Sequence, residues 1–119
     1  MQYDRLRSNS DFQRVFDIGR SLGDNLLAVY AAPNEGRGWR VGFSAGRALG
    51  KAHVRNRLRR RLRGALAALE GAGVPGYDVV IIARRGLLSA PYQALTASLQ
   101  CLLSGLGVVT GGIAGVRDE

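Results

Sequence analysis

Disulfides are excluded in this chain, because Cys101 is its only cysteine. A single thiol agrees with a reducing compartment. Histidine is as scarce: His53 stands alone, without the partners that metal ligation or a catalytic triad would need. No run approaches the roughly 20 apolar residues of a membrane span. No apolar run follows a basic start at the N-terminus, so a signal peptide is not expected. The expectation is a soluble, cytoplasmic protein without membrane association.

Acid is also sparse. Nine Asp and Glu face seventeen Lys and Arg, for a formal net charge of +8, and no acid lies between Gly36 and Leu69. Lysine is nearly missing too. Sixteen of the seventeen cations are arginine, and Lys51 is the exception. Arginine presents a planar fork of donors that matches phosphate and stacks on bases. This balance suggests a polyanionic partner. Nucleic acid, an anionic membrane and plain solubility all stand as readings at this point.

The length of 119 residues suits one domain. The expected ordered core is about 5–106, with a glycine-rich, flexible tail at 107–119. Segment 8–18 reads as a helix, with Ser8 or Ser10 as cap, Phe12, Val15 and Phe16 on one face, and Gly19 as the stop. Segment 25–32 reads as a strand and "PNEGRG" as a turn. In 39–45, Trp39, Val41, Phe43 and Ala45 alternate with Arg40, Gly42 and Ser44, which predicts a half-exposed strand. Segment 53–70 is a helix, 77–84 a buried strand and 91–105 a helix with Pro91 near its first turn. This order predicts a small α/β or α+β sandwich.

The helix at 53–70 carries "RNRLRRRLR" at 55–63. Wound at about 100° per residue, it gathers Val54, Leu58, Leu62, Ala65, Leu66 and Leu69 into one stripe. Asn56, Arg59, Arg60 and Arg63 fall opposite, and Arg55, Arg57 and Arg61 flank the stripe. Like charges three or four apart cost a helix a few tenths of a kcal/mol per pair. Five such pairs occur here: Arg55–Arg59, Arg57–Arg60, Arg57–Arg61, Arg59–Arg63 and Arg60–Arg63. The alternative to a binding surface is a solvated cationic face. A DNA-reading helix lacks a preceding helix at the required spacing. A membrane-surface helix would be expected to carry aromatics on its stripe. Contact with an RNA backbone fits best.

The stretch "GFSAGRALGKAHVRNRLRRRLR" at 42–63 resembles the signature of the bacterial ribonuclease P protein subunits. "RSNSDFQRVFDIGR" at 7–20, "LLAVYAAPN" at 26–34 and "YDVVIIAR" at 77–84 resemble the family's first helix and flanking strands, so the likeness covers about 7–105. It implies a two-layer α+β sandwich of the ribosomal-protein-S5-domain-2 type. The order would be α-β-β-β-α-β-α, with about four strands. It implies a cofactor of an RNA catalyst that removes the 5′ leader of precursor tRNA by metal-dependent hydrolysis. Mg2+ would be required by the RNA-containing holoenzyme, and none bound by the protein alone. Contact with the catalytic RNA is implied for Arg47, Lys51, Arg55, Asn56, Arg57, Arg59, Arg60 and Arg63. A leader cleft is implied at Phe12, Phe16 and Tyr30, with Arg7 and Arg14 as phosphate contacts. Phe12 and Phe16, spaced i, i+4, equally suit a core-facing helix, and the resemblance favours a mixed role. No obligate protein partner is implied.

The chain departs from the family pattern at Ala48, where a basic residue is usual, at His53, and at Gly64 inside the helix. No side chain is expected to be catalytic and none to ligate a metal. Asp11, Asp17, Asp24 and Asp78 are scattered, and "GLGVVTGG" lacks the lysine of a phosphate loop. Cys101 is expected to be a buried thiol on the last helix. Three rival readings are a general RNA-binding module, a membrane-active cationic protein and a self-sufficient nuclease.

Overall fold

The structure, a computed structural model, describes residues 3–69 and 72–110. A two-residue strand, β1 (Asp4–Arg5), precedes the first helix, α1 (Asn9–Ile18). Ser8 caps that helix: its hydroxyl accepts from the backbone N–H of Ser10 at 3.2 Å and of Asp11 at 3.3 Å. Two donors that the first turn would leave open are thereby satisfied. Gly19 ends the helix. A Cβ there would lie 2.4 Å from the Val15 carbonyl oxygen and 2.9 Å from that of Ala31, so only glycine lets the chain turn this close to the sheet.

β2 (Arg20–Gly23) and β3 (Leu27–Pro33) then form an antiparallel pair. Asp24 ties the turn between them, accepting from the N–H of Leu26 at 2.8 Å and of Leu27 at 3.0 Å. β4 (Trp39–Ala45) leads through a 3-10 turn at Arg47–Leu49 into α2 (Ala52–Ala68). β5 (Ala72–Gly73), β6 (Tyr77–Ala83), a second 3-10 turn (Arg85–Ser89), α3 (Tyr92–Leu106) and β7 (Val109–Thr110) complete the order.

The main sheet has the order β1-β4-β6-β3-β2. β4 runs parallel to β1 and β6, while β3 runs antiparallel to β6 and β2. The apolar run of β6 takes the centre because both of its faces are covered. On one face, Leu58, Leu62, Ala65 and Leu66 of α2 join Leu95, Leu99 and Leu103 of α3 over Val29, Val41, Val79 and Ile81. On the other face, α1 seats Val15 over Ala32 and Val80, beside Leu6.

The mixed α+β class stands, with five strands in the main sheet rather than about four. The added strand is β1, a two-residue edge strand before the first helix that is too short to show an alternation. β4 is less exposed than its alternation suggests. Gly42 is buried because the Phe12 ring lies on it, leaving no room for a side chain: a Cβ there would come within 2.4 Å of Phe12 Cζ. The expected loose tail is corrected at its start. Val108 and Val109 are buried, and β7 pairs with β5. Residues 111–119 lie outside the described residues. Cys101 is exposed, not buried. It stands two residues after the buried Leu99, which turns it to the opposite side of α3.

Candidate nucleic-acid interface

α2 buries its leucine stripe and turns its arginines outward. Arg57, Arg60 and Asn56 are exposed, while Arg55, Arg59, Arg61 and Arg63 are half-buried along their stems. Asn56 accepts a hydrogen bond from Arg59 Nη2 at 2.7 Å, so it holds that guanidinium in place. Arg61 is used differently. It donates to the carbonyl oxygens of Leu87 at 3.1 Å and Ala90 at 2.8 Å, and so staples α2 to the turn before α3. Among the described residues no α2 arginine forms an ion pair. The helix presents cations with no internal counter-charge.

The cationic face continues beyond the helix. Arg47 and Lys51 are exposed where β4 passes into α2. Ala45 and Ala83 are paired at the ends of the parallel strands β4 and β6, so Arg84 and Arg85 emerge at the same end of the sheet as Arg47. Arg84 and Arg85 line a shallow depression of about 520 Å³ with Asn25, Gly86 and Ser89. Sequence reasoning did not single out these two arginines. Their signal was a pair of cations directly after a buried strand.

The aromatic residues meet on the other side of the sheet. Phe12 and Phe16 are edge-to-face with centroids 6.4 Å apart, and Phe16 and Tyr30 likewise at 5.1 Å. Phe12 and Tyr30 are half-buried, and Phe16 is 37% exposed. Phe12 is thus mostly packing, while part of Phe16 stays exposed. Ala28, Ser44 and Ile82, half-buried and paired in register, continue this sheet face beyond α1. They form a floor that leads toward Arg47 and Arg84. Arg7 is exposed just before α1.

Arg14 lies elsewhere. Its Nη1 is 3.4 Å from Asp78 Oδ2, and its Nη2 donates to the Pro33 carbonyl. Asp78 is fully buried. Its carboxylate accepts from Arg40 Nε at 2.7 Å, Arg40 Nη2 at 2.6 Å and Asn34 Nδ2 at 2.8 Å. Arg40 Nη1 also reaches Asp11 Oδ2 at 3.5 Å. Burial pushes the Asp78 carboxyl up, but the Arg40 and Asn34 bonds and the Arg40 and Arg14 charges together hold it below the usual carboxylate range. The Asp78 bond in turn raises the Arg40 guanidinium above its ordinary value.

Residues 1–107 match the family model described as Ribonuclease P. The chain belongs to that family. It is 41% identical over 116 residues to the ribonuclease P protein component of Roseiflexus castenholzii, covering 97% of this chain and 95% of that protein. It is 35% identical over 105 residues to the component from Streptococcus agalactiae, covering 88% and 95%. The fold is similar to the RNase P protein of Staphylococcus aureus, with a TM-score of 0.76, 26% identity and coverage of 90% and 98%. It is similar to that of Thermotoga maritima, with a TM-score of 0.73, 30% identity and coverage of 87% and 94%.

As a ribonuclease P protein component, the chain is a tRNA-processing subunit. The expected RNA-contact residues Arg47, Lys51, Arg55, Asn56, Arg57, Arg59, Arg60 and Arg63 lie on α2 and the turn that feeds it. Phe12, Phe16 and Tyr30 come together on the opposite face of the sheet, and Arg14 does not join them. The Arg40–Asp78 pair was missed, with Arg40 read as the exposed side of an alternating strand. The signal was Asp78 itself, an acid inside a buried apolar run, where a charge requires a partner. Among the described residues no helix is long and apolar enough to cross a membrane.

Proposed function

We propose that this chain is the protein cofactor of a ribonuclease P holoenzyme, binding the catalytic RNA through α2 and the 5′ leader of precursor tRNA through the α1 cleft. One observation carries the reading: α2 holds a dense arginine face that no described carboxylate neutralises. Phosphates of the RNA subunit relieve that repulsion, and counterion release drives the association. Asn56 presets the Arg59 fork before RNA arrives. Arg47 and Lys51 extend the contact toward the end of the sheet.

The leader lies along the sheet floor, with bases stacked on Phe16 and Tyr30 and a phosphate at Arg7. Such stacking tolerates any base, as a cofactor for many precursor tRNAs needs. Endonucleolytic cleavage is carried by the RNA subunit with bound Mg2+, and no protein side chain reacts. The cations lower the local negative potential in which the RNA holds its ions and substrate. The chain works in the cytoplasm and needs no obligate protein partner.

The test is equilibrium binding to ribonuclease P RNA across a salt series, beside an unrelated structured RNA. Binding falls steeply with salt, and Arg57→Ala and Arg60→Ala each reduce the log–log slope by about 1. A slope unchanged in both variants contradicts the α2 assignment. Equal affinity for the unrelated RNA favours a general RNA-binding module instead.

A further inference from the structure

We infer that Arg14 is a positioning residue that sets the roll of α1, and thereby the Phe16–Tyr30 cleft, rather than a contact to nucleic-acid phosphate. The inference rests on the leader reading given above and names how that site is held. α1 has ten residues, and Val15 is the only one of them fully buried. A helix seated on one buried residue is fixed poorly against rotation about its own axis. At about 100° per residue, Phe12 and Phe16 sit about 60° and 100° to one side of Val15. Asp11 and Arg14 sit about 40° and 100° to the other.

Each flank therefore has its own tie to the sheet. On the aromatic flank, Phe12 rests on Gly42 and Phe16 on Tyr30. On the polar flank, Arg14 grips Asp78 and the Pro33 carbonyl, while Asp11 meets Arg40. The anchor beneath is rigid, because Asp78 is already held by Arg40 and Asn34. Releasing Arg14 leaves α1 free to rock about the Phe12–Gly42 contact, because the aromatic flank is already seated on the sheet. Phe16 is then no longer held at one height against Tyr30, in the position that offers its ring to a base.

The surroundings of Arg14 argue against a phosphate seat. Its two outer nitrogens are both engaged by protein oxygens. The small recess it lines, of about 110 Å³, is shared with Asn34, Glu35 and Arg37 on the polar flank of α1, on the other side of the helix from the Phe16–Tyr30 rings.

The experiment uses holoenzyme reconstituted with ribonuclease P RNA. Two probes are compared: a precursor tRNA with a single-stranded 5′ leader, and the same tRNA without it. Arg14→Ala, Phe16→Ala and the double variant are each measured across a salt series. Arg14→Ala and Phe16→Ala should each weaken leader-dependent binding, by about threefold to tenfold. The double variant should lose no more than Phe16→Ala alone, because Arg14 acts through that ring. The salt slope should be unchanged in Arg14→Ala, and Arg14→Lys, which can keep one of the two bonds, should fall between. Affinity for the RNA subunit should be unchanged, which also reports that the fold is intact.

A slope lowered by about 1 with additive losses would make Arg14 a phosphate contact and overturn the inference. Leader discrimination kept in Arg14→Ala but lost in Phe16→Ala would overturn it while leaving the cleft standing. Discrimination kept in both would overturn the cleft reading and the clamp with it. Weakened binding of the RNA subunit by Arg14→Ala would make Arg14 a general structural residue, and would also overturn the inference.

Discussion

Arg40 and Asp78 face each other across the parallel strands β4 and β6, and Arg40 holds the buried carboxylate with two nitrogens at 2.7 and 2.6 Å. This pair sits beneath α1 and ties the sheet to the β3–β4 turn through Asn34. Removing one member strands the other. Arg40→Ala should therefore lower the stability of the fold by about 3–5 kcal/mol. Arg40→Lys, which cannot match the fork, should lose less than Arg40→Ala. Urea unfolding of the three proteins checks the order, and equal stability of Arg40→Ala and the parent would refute it.

Acid should weaken the protein through the same carboxylate. The folded Asp78 and Asp24 carboxyls are both held below their ordinary values. At Asp24, burial acts upward, and the Ser98 hydroxyl, two backbone N–H groups and Arg84 outweigh it. A depressed folded value means the stabilisation is complete above the unfolded value of about 3.9 and is lost as pH falls through the folded one. Unfolding free energy should decline as pH drops below about 4, and more shallowly in Asp24→Asn. A parent curve that stays flat through that window would contradict the assignment.

Gly64 interrupts α2 without an evident need. A Cβ there would meet only the Tyr92 hydroxyl, at 3.8 Å, an ordinary contact. Gly64→Ala should stabilise the protein by about 0.5–1 kcal/mol, seen as a melting temperature a few degrees higher. A lower melting temperature would show that the glycine has a packing role.

Much of this architecture was legible because it rests on local periodicity. The α2 stripe is apolar every third or fourth residue, and the reading of 53–70 meets a helix at Ala52–Ala68. The alternation at 39–45 marks β4 at its observed bounds. What escaped depends on register between distant segments. Nothing local pairs Arg40 with Asp78, thirty-eight residues on. Nothing local tells that Arg84 and Arg85 end beside Arg47, or that Asp78 and the Pro33 carbonyl wait for Arg14, although the helical period alone sets Arg14 on the other side of α1 from Phe16. The Cys101 reading failed for a simpler reason: the thiol falls off the leucine stripe it was assigned to.

Stability and binding should part company on α2. Arg60→Glu places an acid three residues from both Arg57 and Arg63, replacing repulsion with attraction. It should stabilise the fold by a few tenths of a kcal/mol while weakening RNA binding. Thermal melts and filter binding of the same preparation check both signs. Tighter RNA binding would contradict the phosphate-facing role of that surface.

The role proposed for the arginine face of α2 is to let an RNA catalyst process precursor tRNA. It is tested most directly by reconstitution. Purified protein is mixed with bacterial ribonuclease P RNA at low magnesium, and removal of the 5′ leader from a labelled precursor tRNA is followed over time. A variant with Arg55, Arg59, Arg60 and Arg63 changed to alanine is run beside it. Processing restored by the parent and not by the variant is the predicted result. Processing that neither protein changes would contradict the account.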